Sequence, residues 1–328
     1  MRERLFFYLF SLGAVVDIVR QLFPVALGTC SDYQTLLLDD RLSALSLAAG
    51  FSPPARGARV LLKPNLVSAR GPSWACTNAL FIRAVALWFL EQGAHVALGD
   101  SPAFGSALAV CEAHGISAAL KDLNIPIVEF DRKESCRLSC GIEVGLARAA
   151  LDCDLLVNLP KIKAHSQMYV SMAVKNCFGL ITGLQKAMLH MKHGEGHERF
   201  SRLILDLQKF IPEQLVIGDG IEVMHHTGPI KGRKLSLGCL AVAQNSVAFD
   251  TAMLHVLGLP SEKSPLWQVS HRAGMAESNI EQIAFPGLPA DFFSGAGFVA
   301  PANLDPIRFR FFRFICGMLR RLSVSDNG

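Results

Sequence analysis

The chain has 328 residues, 51% of them hydrophobic and 18% charged, with a formal net charge of +4. This composition excludes a disordered chain, and the length suits two domains or one large α/β domain. The charge excess is too small to imply nucleic-acid binding, and no zinc finger or aromatic-basic RNA motif occurs.

Residues 5–16, "LFFYLFSLGAVV", are a strongly apolar run. The run falls short of the ~20 residues that a spanning helix needs. Glu3 interrupts the basic start and no small-x-small site follows directly, so residues 1–23 are expected to form an apolar N-terminal extension with an interfacial amphipathic helix rather than a signal peptide. From residue 24 to residue 300, short β-rich runs alternate with helical ones. That pattern predicts an α/β domain, a mixed or mostly parallel sheet covered by helices, in one lobe or in two with a boundary near residue 150.

"PVALG" reads as the first strand, and Asp32 caps a helix running to Gly50. "ARVLLKPNLV" is a strand interrupted by Pro64, which puts Lys63 and Asn65 at its carboxyl end. Thr77 is the expected cap of "NALFIRAVALWFLEQG", a helix closed by Gly93. "HVALGDS" is a strand ending at Asp100, and "IPIVEF" follows it. "DLLVNLPKIKAH" is a buried strand running into a charged loop. Helices are predicted over residues 171–182 and 198–210. "QLVIGDGIEVM" reads as a strand and glycine turn, "LSLGCLAVA" as a strand, and "SVAFDTAMLHVLG" as a helix from Ser246 to Gly258. At the end, residues 301–328 carry a basic amphipathic helix: of Arg308, Arg310, Arg313, Arg320 and Arg321, four fall within roughly a third of a turn, with Phe311, Ile315, Met318 and Leu322 on the far side.

Polar residues therefore stand at the ends of apolar strands: Lys63, Asp100, Lys161 and Asp219. In open α/β sheets the ligand crevice lies outside the carboxyl ends of the strands. Lys161, Lys163 and His165 occupy alternate positions, so in an extended segment they share a face. Like charges so close together call for an anion among them, and Lys175-Asn176 return nearby on a helix. "HMKHGEGHERF" places His190, His193, Glu195 and His197 where either a ligand-covering loop or a metal would use them, although the spacing matches no standard zinc motif. "MHHTGPIKG" adds His225, His226 and Lys231 on a turn. Asp219 and Asp250 are candidate carboxylates for general-base or metal roles. No GxGxxG, GxxxxGK[ST] or GxSxG motif stands in the required strand-to-helix context. The nine cysteines include no CxxC pair, the nearest being Cys136 and Cys140, so no zinc or iron-sulfur site is expected. Reduced core thiols point to a cytoplasmic location.

In order, "LLKPNLV", "VNLPKIKAHS", "AVKNCFGLITG", "LHMKHGEG", "VIGDGIEVMHHTGPIKG" and "SVAFDTAM" resemble the blocks of the Domain of Unknown Function 362 family, over roughly residues 25–259. The resemblance implies that Lys63, Asn65, Thr77, Lys161, Lys163, His165, Lys175, Asn176, Gly179, His190, Asp219, Gly220, Gly228, Pro229 and Asp250 occupy recurrent positions of that family. Many of its members are described as iron-sulfur proteins. This chain departs from them in lacking the cysteine run, so an iron-sulfur cluster within it is not expected, and no other cofactor is specified.

The first functional expectation is a protein, enzyme or sensor, that binds a small phosphate- or carboxylate-bearing ligand. Lys163, His165, Lys175, Asp219 and Asp250 would do the chemistry. Lys63, Asn65, Lys161, Asn176, His190 and Gly220 would hold the ligand. The other expectation is a redox or scaffold partner of a separate ferredoxin-like protein, peripheral at the inner face of the membrane and bound to anionic lipid through the five C-terminal arginines.

Overall fold

The computed structural model describes residues 22–36, 40–183, 185–193 and 196–307. Both predicted terminal helices lie outside these residues, apart from the first few positions of the C-terminal segment. In chain order the strands are β1 (Phe23–Thr29), β2 (Arg59–Pro64), β3 (His95–Asp100), β4 (Ile127–Glu129), β5 (Lys133–Arg137), β6 (Glu143–Ala147), β7 (Leu155–Leu159), β8 (Lys161–His165), β9 (Tyr169–Ser171), β10 (Gln214–His225), β11 (Arg233–Ala243) and β12 (Ile283–Ala284). The main sheet runs β12-β1-β11-β10-β7-β2-β3-β4, with β8 added on β10 and β9 on β8, while β5 and β6 form a separate hairpin. From β10 to β4 the pairings are parallel, and β11 is antiparallel to both β1 and β10. This is a mixed, mostly parallel α/β sheet.

Both faces of the sheet are covered, which is why its strands read as nearly unbroken apolar runs. Val60, Leu62, Val157, Leu215 and Ile217 pack into one core with the helices Arg41–Ala48 and Ala79–Glu91. Their neighbours Leu61, Leu156 and Val216 point the other way, into the cores on the opposite face. Strands before and after residue 150 share this one sheet.

The order of the strands fixes where a crevice forms. From β2 the chain moves outward through β3 to β4, then returns to place β7 on the other side of β2. The direction of winding thus reverses between β2 and β7, where Lys63 and Asn158 are register partners. Such a switch point leaves a gap outside the strand ends.

Three local expectations change. The helix Ala79–Glu91 is capped by Asn78, whose side chain accepts from the Leu80 N–H at 2.8 Å. Thr77 instead ties two strand ends together, its hydroxyl donating to the Leu159 carbonyl and accepting from the Asn65 N–H, both at 2.8 Å. The predicted turn in "IGDG" is absent because β10 continues through it, with a register shift between Gly220 and Glu222. Its glycines serve close packing: a Cβ on Gly218 would lie 2.3 Å from the Phe249 ring, and one on Gly220 2.7 Å from the Cys239 carbonyl. The helix expected over residues 171–182 begins only after β9, as a short α-helix, Ala173–Asn176, followed by a 3-10 turn, Cys177–Leu180. Among the described residues no helix is long and apolar enough to cross a membrane.

Candidate functional site

β2 ends in Lys63-Pro64, and proline has no N–H to extend the ladder, so the chain leaves the sheet with Asn65 just beyond the strand. Lys63 is fully buried. Its Nζ donates to Asp100 Oδ1 at 2.7 Å, to the Pro64 carbonyl at 3.0 Å and to Asn176 Oδ1 at 3.3 Å. Asp100, at the end of β3, accepts also from the Leu66 N–H at 2.8 Å. Gly179 closes over the pair, since a Cβ there would stand 2.3 Å from Asp100 Oδ1 and 2.7 Å from Lys63 Nζ.

The Lys161, Lys163, His165 row stands on a buried strand, β8, where the sequence pointed to a charged loop. β7 and β8 are separated only by Pro160, and β10 pairs with each in turn. Lys161 is sealed off at the start of the row. Its Nζ donates to Asp219 Oδ2 at 2.8 Å and to the Tyr33 hydroxyl at 2.9 Å, and that hydroxyl donates to Asp219 Oδ1 at 2.9 Å. The Asn78 N–H completes the carboxylate at 3.0 Å.

Lys163, next in the row, faces a cleft of about 280 Å³ lined also by Lys63, Asn65, Asp100, His165, Lys175, Asn176, Lys186 and His190. Its Nζ donates to Asn65 Oδ1 and, at 2.9 Å, to the Ala75 carbonyl. Burial pushes its ammonium down to about 8, with Lys161 and Lys63 adding to the effect. His165 accepts the Gln167 N–H on Nδ1 at 3.1 Å, so in the neutral ring the proton belongs on Nε2. Burial, then the nearby Lys175 and Lys163, holds this imidazole well below the usual histidine range.

Lys175 projects from the short helix Ala173–Asn176. Among the described residues it has no hydrogen-bond or ion-pair partner, and its Nζ lies 4.5 Å from the centre of the Phe178 ring. Burial brings it down to about 7, and Lys163, Lys186 and Lys63 press in the same direction. The helix itself is fixed by Asp250, whose two oxygens accept from the Ala173 and Val174 N–H groups at 2.7 and 3.2 Å. Burial outweighs these bonds and raises the Asp250 carboxyl to about 8. Amides connect the ensemble: Asn65 Nδ2 donates to Asn176 Oδ1 at 2.9 Å, and Asn176 Nδ2 to Asn158 Oδ1 at 2.7 Å.

The structure thus brings together Lys63, Asn65, Lys163, His165, Lys175, Asn176 and His190. Lys161, Asp219, Gly220 and Asp250 stand behind the cleft wall and do not line it. His190 and His193 lie on the helix Gln185–His193, and burial, then Lys175 and Lys186, pushes His190 down to about 3. Two cleft residues were missed. Asp100 was legible as a strand end and was not carried to the site. Lys186 donates to the Ser101 hydroxyl at 2.8 Å and to the Pro102 carbonyl at 3.0 Å, and is pushed down to about 8, chiefly by burial. Its i, i+4 relation to His190 on one helix was the available signal. Among the described residues, no group of three or more His, Cys, Asp or Glu side chains could hold a metal ion.

Among the described residues, four ammonium groups therefore face one cleft whose lining offers a single carboxylate, and that carboxylate is already engaged by Lys63. The arrangement suits an anion.

A family model described as Domain of unknown function (DUF362) matches residues 60–255. The chain belongs to this family. The DUF362 region contains every cleft-lining residue named above and both buried ion pairs. A thylakoid-associated protein of Synechocystis sp. is 37% identical over 232 residues, which cover 70% of this chain and 72% of that protein. Among solved structures, the lactate racemase apoprotein of Thermoanaerobacterium thermosaccharolyticum aligns with a TM-score of 0.39 at 14% identity, covering 61% of this chain and 51% of that one. A Thermotoga maritima protein aligns at 0.34 and 10% identity, over 67% of this chain and 57% of that one.

Proposed function

We propose that this DUF362 protein binds a small carboxylate- or phosphate-bearing molecule in the cleft, with Lys163 and Lys175 contacting the anion. Lys63 and Lys186 supply field rather than contact, because acceptors of the protein already engage them. The observation that carries the reading is Lys175, a cleft ammonium held among like charges with no acceptor among the described residues. Lys175 is also the group fitted to move protons near neutral pH, while His165 as a neutral imidazole offers its Nε2–H as a hydrogen-bond donor. Asp219 and Asp250 support the site through Lys161 and the Ala173–Asn176 helix.

Titration calorimetry with inorganic phosphate and with acetate tests the proposal. A charge-assisted hydrogen bond contributes about 1.5–3 kcal/mol, so Lys163→Met is expected to weaken binding roughly 10- to 100-fold. Equal binding by the variant, or no heat with either anion, refutes the reading.

A second reading places the protein at a membrane surface, as a scaffold or redox partner. The thylakoid-associated relative favours it, together with Phe104, Leu108, Met188 and Met191, apolar side chains 39–46% exposed on the loop and helices around the cleft. The full chain would then sediment with anionic vesicles and not with neutral ones.

A further inference from the structure

Donor arithmetic separates the four cleft lysines. An ammonium has three N–H donors. Lys63 spends them on Asp100, Pro64 and Asn176, and Lys186 on the Ser101 carbonyl, the Ser101 hydroxyl and the Pro102 carbonyl. Lys163 spends two, on Asn65 and Ala75, and keeps one. Lys175 spends none, and its Nζ rests against the Phe178 ring at the cleft wall. A buried ammonium without acceptors among the described residues, crowded by other ammoniums, gives up its proton more readily than one whose donors are engaged, and the cation–π attraction of Phe178 offsets only part of this. Neutral amines produced in this way are the nucleophiles that form Schiff bases with carbonyl substrates.

We infer that Lys175 forms an imine with a small 2-oxo acid, whose carboxylate is held by the remaining N–H of Lys163. This deepens the anion-binding reading and rests on it. The Nζ lone pair attacks the carbonyl carbon while the C=O π pair moves to oxygen, which takes up a proton, and the nitrogen loses one. The C–O bond of this carbinolamine then breaks as the nitrogen pair re-forms a double bond, a second proton carries the oxygen away as water, and the iminium nitrogen returns its last proton to give the imine. One carbonyl and one amine become one imine and one water, with no oxidant or reductant consumed. The neutral His165 imidazole lies in the same cleft as a hydrogen-bond donor for the carbonyl oxygen, and the protons are exchanged with solvent. A small oxo acid such as pyruvate suits a cleft of about 280 Å³, near the lower end of the range for small-molecule sites.

The test is to incubate the full chain with pyruvate and sodium cyanoborohydride across pH 6–9, followed by peptide mapping of the reduced adduct and, in parallel, thermal unfolding with pyruvate and with inorganic phosphate. The expected result is one adduct, on Lys175, saturable in pyruvate, suppressed by phosphate, rising with a midpoint near pH 7 and absent in Lys175→Arg. Labelling spread over surface lysines and increasing steadily with pH overturns the proposal, and wild-type mapping shows this even if the variant folds poorly. If both anions raise the unfolding temperature but Lys175 stays unlabelled, the nucleophile is refuted and the anion cleft stands. If neither effect is seen, both readings fall.

Discussion

Asp219→Asn tests whether the sealed pair behind the cleft is a structural strut. Lys161 and Asp219 are each no more than 1% exposed, 2.8 Å apart, on adjoining strands β8 and β10. The carboxylate accepts three side-chain or backbone donors besides its charge role: Lys161, Tyr33 and Asn78. An amide can keep its oxygen towards Lys161 and Asn78, which share Oδ2, but its NH2 then meets Tyr33. The Tyr33 hydroxyl oxygen already accepts from Lys161 and, at 3.2 Å, from the Glu222 N–H, so it is poorly placed to accept a third donor. One buried donor is left unmatched and one buried ammonium loses its counter-charge. Breaking such a pair costs about 3–5 kcal/mol, a large part of a typical total of ~5–15 kcal/mol. Replacing both partners, as Lys161→Met with Asp219→Leu, removes the charge imbalance and is expected to recover most of that loss. Urea unfolding of the wild type, both single variants and the double variant gives the coupling directly. A single-variant loss under about 1 kcal/mol, with no coupling, refutes the strut. Should Asp219→Asn fold as well as the wild type yet fail to bind anions, Asp219 would belong to the site itself.

Gly179→Ala should destabilise the protein by about 2–4 kcal/mol in urea and weaken sulfate binding, because the new methyl drives into the Lys63–Asp100 pair. A loss below about 0.5 kcal/mol would mean that the pair yields easily. Sulfate keeps its charge across the neutral range, so its affinity reports the cleft alone. Lys175 titrates at about 7 and Lys163 and Lys186 at about 8, and only their protonated forms attract an anion. Calorimetry should therefore show affinity highest below pH 7 and falling about 10- to 100-fold by pH 9.5, at ~1.4 kcal/mol per decade. Flat affinity over that range would contradict the assignment of these lysines to the binding surface.

Much of the fold was legible because a covered sheet writes itself as apolar runs with polar ends. Lys63 and Asp100 were placed at strand ends in this way, whereas the β8 row was read as a loop. What could not be read is which polar side chains saturate one another. Lys161 and Lys163 are equivalent in sequence, two positions apart on one strand, yet Tyr33 and Asp219 close over the first and a cavity opens beside the second. That difference depends on contacts 58 and 128 residues away along the chain. The partners of Asp250 were hidden for a related reason: its isolated acid in an apolar helix suggested chemistry, and the backbone N–H groups it binds belong to a helix far away in sequence. "IGDG" misled because glycine marks close approach as well as turns, and only the partner strand tells which.

Pro160 makes the sheet fork. Up to that residue the chain is held between β2 and β10; past it, β10 keeps its companion while β2 ends, and Lys63 at the end of β2 and Lys163 on β8 both line the cleft. Thr77 is stitched across the base of this fork, so the backbone ladder sets the floor of the cleft, while residues 101–104, Gly183 and the helix Gln185–His193 form its rim. The lysines on that floor are therefore pre-positioned by the sheet, and a small anion meets them without any rearrangement of the strands.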